Sequence, residues 1–186
     1  MPFDVTRLRS EYKGPFELVS TADDKTLFVR RWNAERKAKV SVLIFHGITG
    51  YSGPYGPMVA EQLVASGYDV FGLDLRGHGL SDGRRGDYPS EERLRSDIAE
   101  TLALVKSKSD RLVVMGHSLG ALPAIMAMKN HPDEISGLII VSAAKKVRTG
   151  VYPKPSRGAM LRTLLGVGDS ERDSAHRVPQ GGAGGD

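Results

Sequence analysis

The chain up to Ser142 alternates between short hydrophobic runs and segments in which hydrophobic side chains recur every three or four positions. Residues 16–20 and 26–32 are rich in β-branched and aromatic side chains, and a turn-forming stretch from Ala22 to Lys25 separates them. This pattern predicts an antiparallel hairpin. The apolar run at 40–45 is typical of a strand buried on both faces of a parallel sheet. Further strands are predicted at residues 68–73, 111–115 and 137–141.

Helical periodicity lies between these strands. Residues 57–66 carry apolar side chains one turn apart. Ser90 is a typical helix N-cap, because Glu91 and Glu92 follow it in the favourable first turn. A third helix is predicted at 119–129. Strands and helices that alternate at these lengths predict an α/β fold, with a mostly parallel sheet covered by helices on both faces.

Composition agrees with one soluble domain and narrows its chemistry. The 186 residues are 40% hydrophobic and 26% charged, with no cysteine. Disulfides and thiolate metal sites are therefore excluded, and no metal or other cofactor is predicted. The N-terminus has no secretory signal, and no apolar run is long enough to cross a membrane. We expect a cytoplasmic protein.

The formal net charge of +4 raises the question of nucleic-acid binding. Most basic residues alternate with acidic ones, which is typical of a solvated helix face, and no nucleic-acid motif is present. The exception is the stretch from Ile135 to Gly168, where six Lys or Arg residues cluster. This stretch is interpreted either as a solvated loop or as a surface attracted to anionic lipid or substrate.

The strongest chemical motif is Gly116-His117-Ser118-Leu119-Gly120, placed between a predicted strand and an apolar helix. A G-x-S-x-G at such a junction is a nucleophile elbow, in which a sharp turn presents the serine. The glycines let neighbouring backbone approach closely. Ser118 is therefore the predicted nucleophile, and the amide of Leu119, at the helix start, is one predicted oxyanion donor.

A second motif ends the strand at 40–45, where His46 and Gly47 lead into a small, polar loop. Such a loop can turn a backbone N–H inward, and the amide of Ile48 is the predicted second oxyanion donor. The alternative is an ordinary strand-to-loop transition at Gly47. The elbow downstream favours the oxyanion hole.

A third motif, DLRGHGLSDGRRG, begins at Asp74. Together with HGITG and GHSLGA, it resembles the α/β-hydrolases of the monoacylglycerol lipase and lysophospholipase type over residues 14–144. The resemblance implies that this loop is structural, so Arg76, His78 and Asp82 are interpreted as shaping it. A dinucleotide site is not predicted, because the third glycine is absent and no helix follows directly.

The resemblance also implies a serine–acid–histidine triad in that order along the chain, with the acid and histidine after the seventh and eighth strands. Only six strands are predicted here, so we expect an α/β-hydrolase fold lacking its last two strands. Residues 1–144 would be its core, 145–166 the start of the lid segment, and the Gly-rich 167–186 a disordered tail.

No histidine is well placed to activate Ser118. His131 lies about 18 Å along the helix from it, at 1.5 Å per residue. His176, with Asp169 and Asp173 nearby, lies in the tail, where nothing apolar would hold it. His46, His78 and His117 are interpreted as structural.

Two function classes stay open, and neither requires a cofactor. The first is a serine ester hydrolase acting on acylglycerols or similar small lipid esters, impaired because the triad acid and base are missing. The second is a non-catalytic truncated product, or a binding module built on the front half of the fold. The run at 137–141 carries no charge or proline, so self-association through this sheet edge is also expected.

Overall fold

The computed structural model describes residues 4–143, except 37 and 49. Its strands are β1 (Phe16–Ser20), β2 (Thr26–Trp32), β3 (Val40–Phe45), β4 (Asp69–Asp74), β5 (Arg111–His117) and β6 (Gly137–Val141). Its helices are α1 (Val5–Glu11), α2 (Glu61–Ala65), α3 (Glu91–Lys106) and α4 (Ala121–Asn130). The predicted division at 145–166 and 167–186 lies outside the described residues.

The six described strands form one sheet in the order β1-β2-β4-β3-β5-β6. The pairs β1–β2 and β2–β4 are antiparallel, and all pairs among β3, β4, β5 and β6 are parallel. The carboxyl ends of those four strands therefore lie at one edge. The chain steps from β3 to β4 on one side and then crosses to β5 on the other, and such reversals are where open α/β sheets bind ligands.

Two hydrophobic clusters cover the two faces of the sheet. Side chains of α3 and α4, such as Ile98 and Ala124, pack with Leu43 and Phe45 on one face. On the other face, Ala60 packs with Ile44, and the partly buried Leu63 of α2 joins them. The predicted fold class, a mostly parallel sheet covered on both faces, is confirmed.

Several element bounds differ from the predictions. The helix predicted at 57–66 begins as a π-helical turn, Gly56–Ala60, which continues into α2. The helix predicted at 119–129 is preceded by a 3₁₀ turn at Ser118–Gly120 and begins at Ala121. The strand predicted at 111–115 extends to His117, because Gly116 and His117 still pair with neighbouring strands.

The helix α1 was not predicted. Asp4 caps it by accepting a hydrogen bond from the Arg7 amide at 3.0 Å, yet no residue of the helix is buried. Hydrophobic periodicity, which reports a buried face, therefore gave no indication of it.

The loop after β4 is anchored by Arg76, whose side chain is 2% exposed. Its guanidinium donates two hydrogen bonds to the Asp97 carboxylate, at 2.8 and 2.7 Å, and two to Asp23, both at 3.0 Å. Tyr88 adds a hydrogen bond to Asp97 at 2.6 Å, and burial, with Asp97 alongside, raises the pKa of Tyr88. The hydrogen bond from Thr21, together with Arg76, lowers the pKa of Asp23 to about 2.

The first prediction concerns this guanidinium. Replacing Arg76 with Lys keeps the charge but removes the planar fork that serves two carboxylates. We expect Arg76→Lys to lower the free energy of unfolding by about 2 kcal/mol in urea. Arg95→Lys is the matched control, because the Arg95–Glu91 pair is exposed and its loss changes stability by less than about 0.5 kcal/mol. Equal losses in both variants would contradict this account.

Candidate active site

Ser118 lies at the tip of a sharp turn between β5 and the helical segment that leads into α4. Its φ is +54°, in the left-handed region that side chains other than glycine rarely adopt. The residue before it is extended, and the residues after it are helical. A strained serine at a strand-to-helix junction has the geometry of a nucleophile elbow.

The two glycines of the motif permit a close approach of backbone segments. A Cβ atom on Gly120 would lie 2.1 Å from the carbonyl oxygen of Phe45, the last residue of β3. A Cβ atom on Gly116 would lie 2.4 Å from the carbonyl oxygen of Gly120. No side chain fits at either position, so the elbow requires both glycines.

This approach brings the loop after β3 to the nucleophile. Phe45 pairs with Gly116 across the sheet, and a Cβ atom on Gly47 would lie 3.2 Å from the Cβ atom of Ser118. Ile48, the next residue, and Leu119 both have about half-exposed side chains. The backbone of Leu119 follows Ser118 directly along the chain. The backbone of Ile48 directly follows Gly47, which lies against Ser118.

Tyr55 joins the two segments, and the sequence analysis missed it. Its hydroxyl oxygen accepts a hydrogen bond from the Gly47 amide at 3.2 Å and lies 2.8 Å from Nδ1 of His117, with which it shares a second hydrogen bond. The side chain is buried, and burial raises its pKa. No motif marks this residue, because its partners lie 8 and 62 positions away.

His46 is fully buried at the end of β3. Its Nε2 accepts a hydrogen bond from the Leu75 amide at 3.0 Å, so the ring proton lies on Nδ1, which donates to the Gly47 carbonyl at 2.8 Å. Burial lowers the pKa of the ring, although the bond to Gly47 opposes this shift. His46 is therefore a neutral link between the ends of β3 and β4.

Each of the four histidines within residues 4–143 has a ring nitrogen engaged away from the Ser118 hydroxyl. His78 contacts the Arg76 carbonyl at 2.9 Å, and His131, at the end of α4, contacts Glu134 at 2.8 Å. His176, Asp169 and Asp173 lie outside the described residues. Within residues 4–143, Gly47 of the loop after β3 lies against Ser118, and no hydrogen bond joins a histidine ring to the Ser118 hydroxyl.

The described residues contain neither a candidate membrane span nor a candidate metal site. No helix there is long and apolar enough to cross a membrane. Within the same residues, no group of three or more His, Asp or Glu side chains is arranged to hold a metal ion.

A cavity of about 900 Å³ lies at the edge of the sheet where the loops after β3 and β4 meet α1. Ile48, which follows Gly47 in the loop after β3, is part of its wall. Its other apolar walls come from Leu8, Tyr12, Tyr51 and Leu80. A cavity of this size and lining is typical of a site for a small, largely apolar ligand.

This sheet order and the strand–turn–helix junction at Ser118 define an α/β-hydrolase. The chain belongs to the serine aminopeptidase S33 family, whose profile (Hydrolase_4) matches residues 36–169. The resemblance to monoacylglycerol lipases seen in the sequence is confirmed.

Two relatives and one solved structure illustrate the similarity. Monoglyceride lipase of Rattus norvegicus is 27% identical over 175 residues, covering 85% of this chain and 57% of the relative. Pyrethroid hydrolase of Sphingobium wenxiniae is 31% identical over 123 residues, covering 63% and 42%. The crystal structure of a monoacylglycerol lipase from Paleococcus ferrophilus superposes with a TM-score of 0.57 at 29% identity, covering 76% and 51%. The chain thus spans about half the length of these relatives.

The second prediction tests the close approach at the elbow. Because a methyl group on residue 120 would collide with the backbone of β3, we expect Gly120→Ala to lower the free energy of unfolding by about 3 kcal/mol. Gly137→Ala in β6 is the control. There the added atom would lie 3.4 Å from a Val113 methyl group, an ordinary contact, and a change under about 1 kcal/mol is expected. Urea unfolding of both variants measures the difference, and similar stabilities would contradict the proposed steric requirement.

Proposed function

We propose that this chain supplies the nucleophile and the oxyanion donors of a serine ester hydrolase that acts on acylglycerols or similar small lipid esters. One observation carries the proposal: Ser118, at φ +54°, lies between β5 and α4 with Gly47 of the β3 loop against its Cβ atom. This contact supports the proposal that the Ser118 hydroxyl and two backbone segments converge at the carboxyl ends of the parallel strands.

The proposed chemistry is acyl transfer. The Ser118 oxygen attacks the ester carbonyl carbon, and the carbonyl oxygen becomes negatively charged as the tetrahedral intermediate forms. The amides of Leu119 and Ile48 stabilise that charge, which a preorganised pair of donors does well in a partly dry site. The alcohol then leaves, and water releases the acyl group from Ser118.

The base that removes the hydroxyl proton is proposed to lie outside residues 4–143, because the ring contacts of the four described histidines lie elsewhere. His176 is the remaining histidine of this sequence. A serine without a base is a poor nucleophile, although an oxyanion hole alone retains some catalysis. We therefore expect the chain to hydrolyse esters weakly.

The substrate class rests on the cavity and on two relatives. Apolar side chains and glycines make up most of the cavity wall beside Ile48, which suits an acyl chain better than a charged group. The lipases of Rattus norvegicus and Paleococcus ferrophilus are named for monoacylglycerols, which combine such a chain with a small alcohol.

The third prediction concerns Ser118. We expect slow hydrolysis of p-nitrophenyl esters, far below the typical enzyme turnover of about 10 s⁻¹, and a marked further loss of it in Ser118→Ala, where only the oxyanion donors remain. Medium-chain esters should react faster than acetate because they reach the cavity. Release of p-nitrophenol, followed by absorbance, measures both effects.

Ser107→Ala is the control, since Ser107 is exposed at the end of α3 and should keep the wild-type rate. Hydrolysis at the wild-type rate in Ser118→Ala would refute the proposed nucleophile. A wild-type rate near the enzyme median would show that a base acts on Ser118, and His176→Ala would then show whether the tail supplies it.

We also propose that the chain self-associates through β6. Three consecutive side chains of this strand, Leu138, Ile139 and Ile140, are 37–42% exposed. On one side β6 pairs with β5, and among the described residues no strand pairs with its other side. An unpaired apolar edge is a template for pairing with a second chain.

The fourth prediction is that the wild-type chain forms dimers or larger species in sedimentation velocity, and that Ile139→Lys shifts it toward monomer. A charge on an edge strand disfavours pairing. Leu18→Lys is the control, because Leu18 is 47% exposed on β1 at the opposite edge. A wild-type monomer whose amides at 138–141 are strongly protected from hydrogen exchange would contradict the proposal.

A further inference from the structure

The carboxylate of Asp74, the last residue of β4, is completely buried and receives four hydrogen bonds. Ser52 donates to Oδ1 through its amide at 2.7 Å and through its hydroxyl at 2.5 Å. The Leu80 amide at 2.8 Å and the Arg30 guanidinium at 3.1 Å donate to Oδ2. Each oxygen thus has two donors, which matches the acceptor capacity of a carboxylate.

These donors belong to two different loops. Ser52 lies on the loop after β3, four residues beyond Ile48, while Leu80 lies on the loop after β4. The Ser81 hydroxyl also donates to the backbone carbonyl of Asp74 and accepts from the Phe28 amide at 2.8 Å. Asp74 therefore fixes the β3 loop relative to the β4 loop and the underlying sheet.

The loops approach Asp74 so closely that glycine is required at two positions. A Cβ atom on Gly79 would lie 2.1 Å from Oδ2 of Asp74, and one on Gly72 would lie 2.7 Å from the Cβ atom of Ser52. Ser52 itself is fully buried. Backbone atoms of both loops therefore lie close to the Asp74 carboxylate, which cannot shift unless both loops move.

Only a short turn separates Ser52, which donates to the Asp74 carboxylate, from Ile48, the predicted oxyanion donor. Tyr55 holds the amide of Gly47, and the Gly50 amide donates back to the Gly47 carbonyl at 3.2 Å. Ile48 thus lies in a loop that is fixed before it at Gly47 and after it at Ser52. A displacement of Ser52 would act on the direction of the Ile48 amide.

We infer that Asp74 is a positioning residue for the hydrolytic site, which holds the β3 loop so that the Ile48 amide faces the oxygen of the ester carbonyl whose carbon Ser118 attacks. The inference rests on the proposed function of Ser118 and Ile48. Asp74 acts through Ser52 and does not touch the ester. Its neighbour Arg30, stacked within 4.9–5.2 Å of the rings of Tyr12, Phe28 and Tyr51, balances its charge.

The isosteric variant Asp74→Asn keeps the size of the side chain but removes its charge and one of its two acceptor oxygens. The Asn side chain has an NH₂ group in place of one carboxylate oxygen. This group lies opposite either the two donors of Ser52 or those of Leu80 and Arg30, so that donors meet donors and hydrogen bonds are lost. We expect the rate at which an alkyl fluorophosphonate labels Ser118 to fall at least tenfold, because phosphonylation also develops charge on the oxygen in the oxyanion hole. The KM for a p-nitrophenyl ester should change less than twofold.

The matched control is Asp97→Asn. Asp97 is equally buried and also hydrogen-bonded to an arginine, but its side chain bonds to Arg76 and Tyr88 and not to the β3 loop. It should lose stability and keep the wild-type labelling rate, measured where circular dichroism shows every variant to be folded. Should Asp74→Asn not fold, Ser52→Ala removes one donor to Oδ1 and should slow labelling in the same direction by a smaller factor.

A wild-type labelling rate in Asp74→Asn, or in Ser52→Ala where that variant replaces it, would overturn the inference, as would an equal loss in Asp97→Asn. Hydrogen exchange of the amides at 47–53 is read in parallel. If Ser118 of the wild type is not labelled at all, the proposed function fails. Hydrogen exchange alone then decides whether Asp74 holds the β3 loop in place. Faster exchange in the variant supports it, and unchanged exchange refutes it.

Discussion

The close approach between the end of β3 and the turn at Ser118 is the constraint on which the site depends. Parallel pairing sets Phe45 opposite Gly116, and the missing side chain at Gly120 lets the start of α4 lie against the Phe45 carbonyl. Only then does Gly47 reach the Cβ atom of Ser118. A strained serine conformation persists because the surrounding strands and helix fix the backbone on both sides of it.

Buried carboxylates also fix the loops that follow β3 and β4. Asp74 and Asp97 are both fully buried, and each is paired with an arginine and further hydrogen bonds. Removing such groups from water costs several kcal/mol, which is recovered only in one geometry. Asp74 therefore fixes the loop after β3 against the loop after β4, whereas Asp97, through Arg76, fixes the start of the β4 loop against α3.

Much of the fold could be predicted because local patterns decide it. The bounds predicted for β1, β2, β3 and β6 agree with the structure, since each strand is an apolar run bounded by turn residues. The predicted end of β5 was two residues early, because Gly116 and His117 break the apolar run while their backbone still pairs. The helix α1 left no pattern, since a helix without a buried face needs no hydrophobic repeat.

The residues of the candidate site also divide into those that a local sequence motif marks and those that it does not. Ser118, Gly116 and Gly120 could be named from the sequence because their spacing is the motif, whereas Tyr55 and Asp74 act on partners that only the folded sheet brings near. The nucleophile and both proposed oxyanion donors lie within the stretch from β3 to α4, so strand pairing, together with the loop contacts of Tyr55 and Asp74, can preorganise them. A base acts through a contact of its own with the Ser118 hydroxyl and is not required for that pairing. In the proposed mechanism, the donors that stabilise charge belong to adjacent strands and their loops, whereas proton removal depends on a base outside residues 4–143, so the two tasks are physically separable.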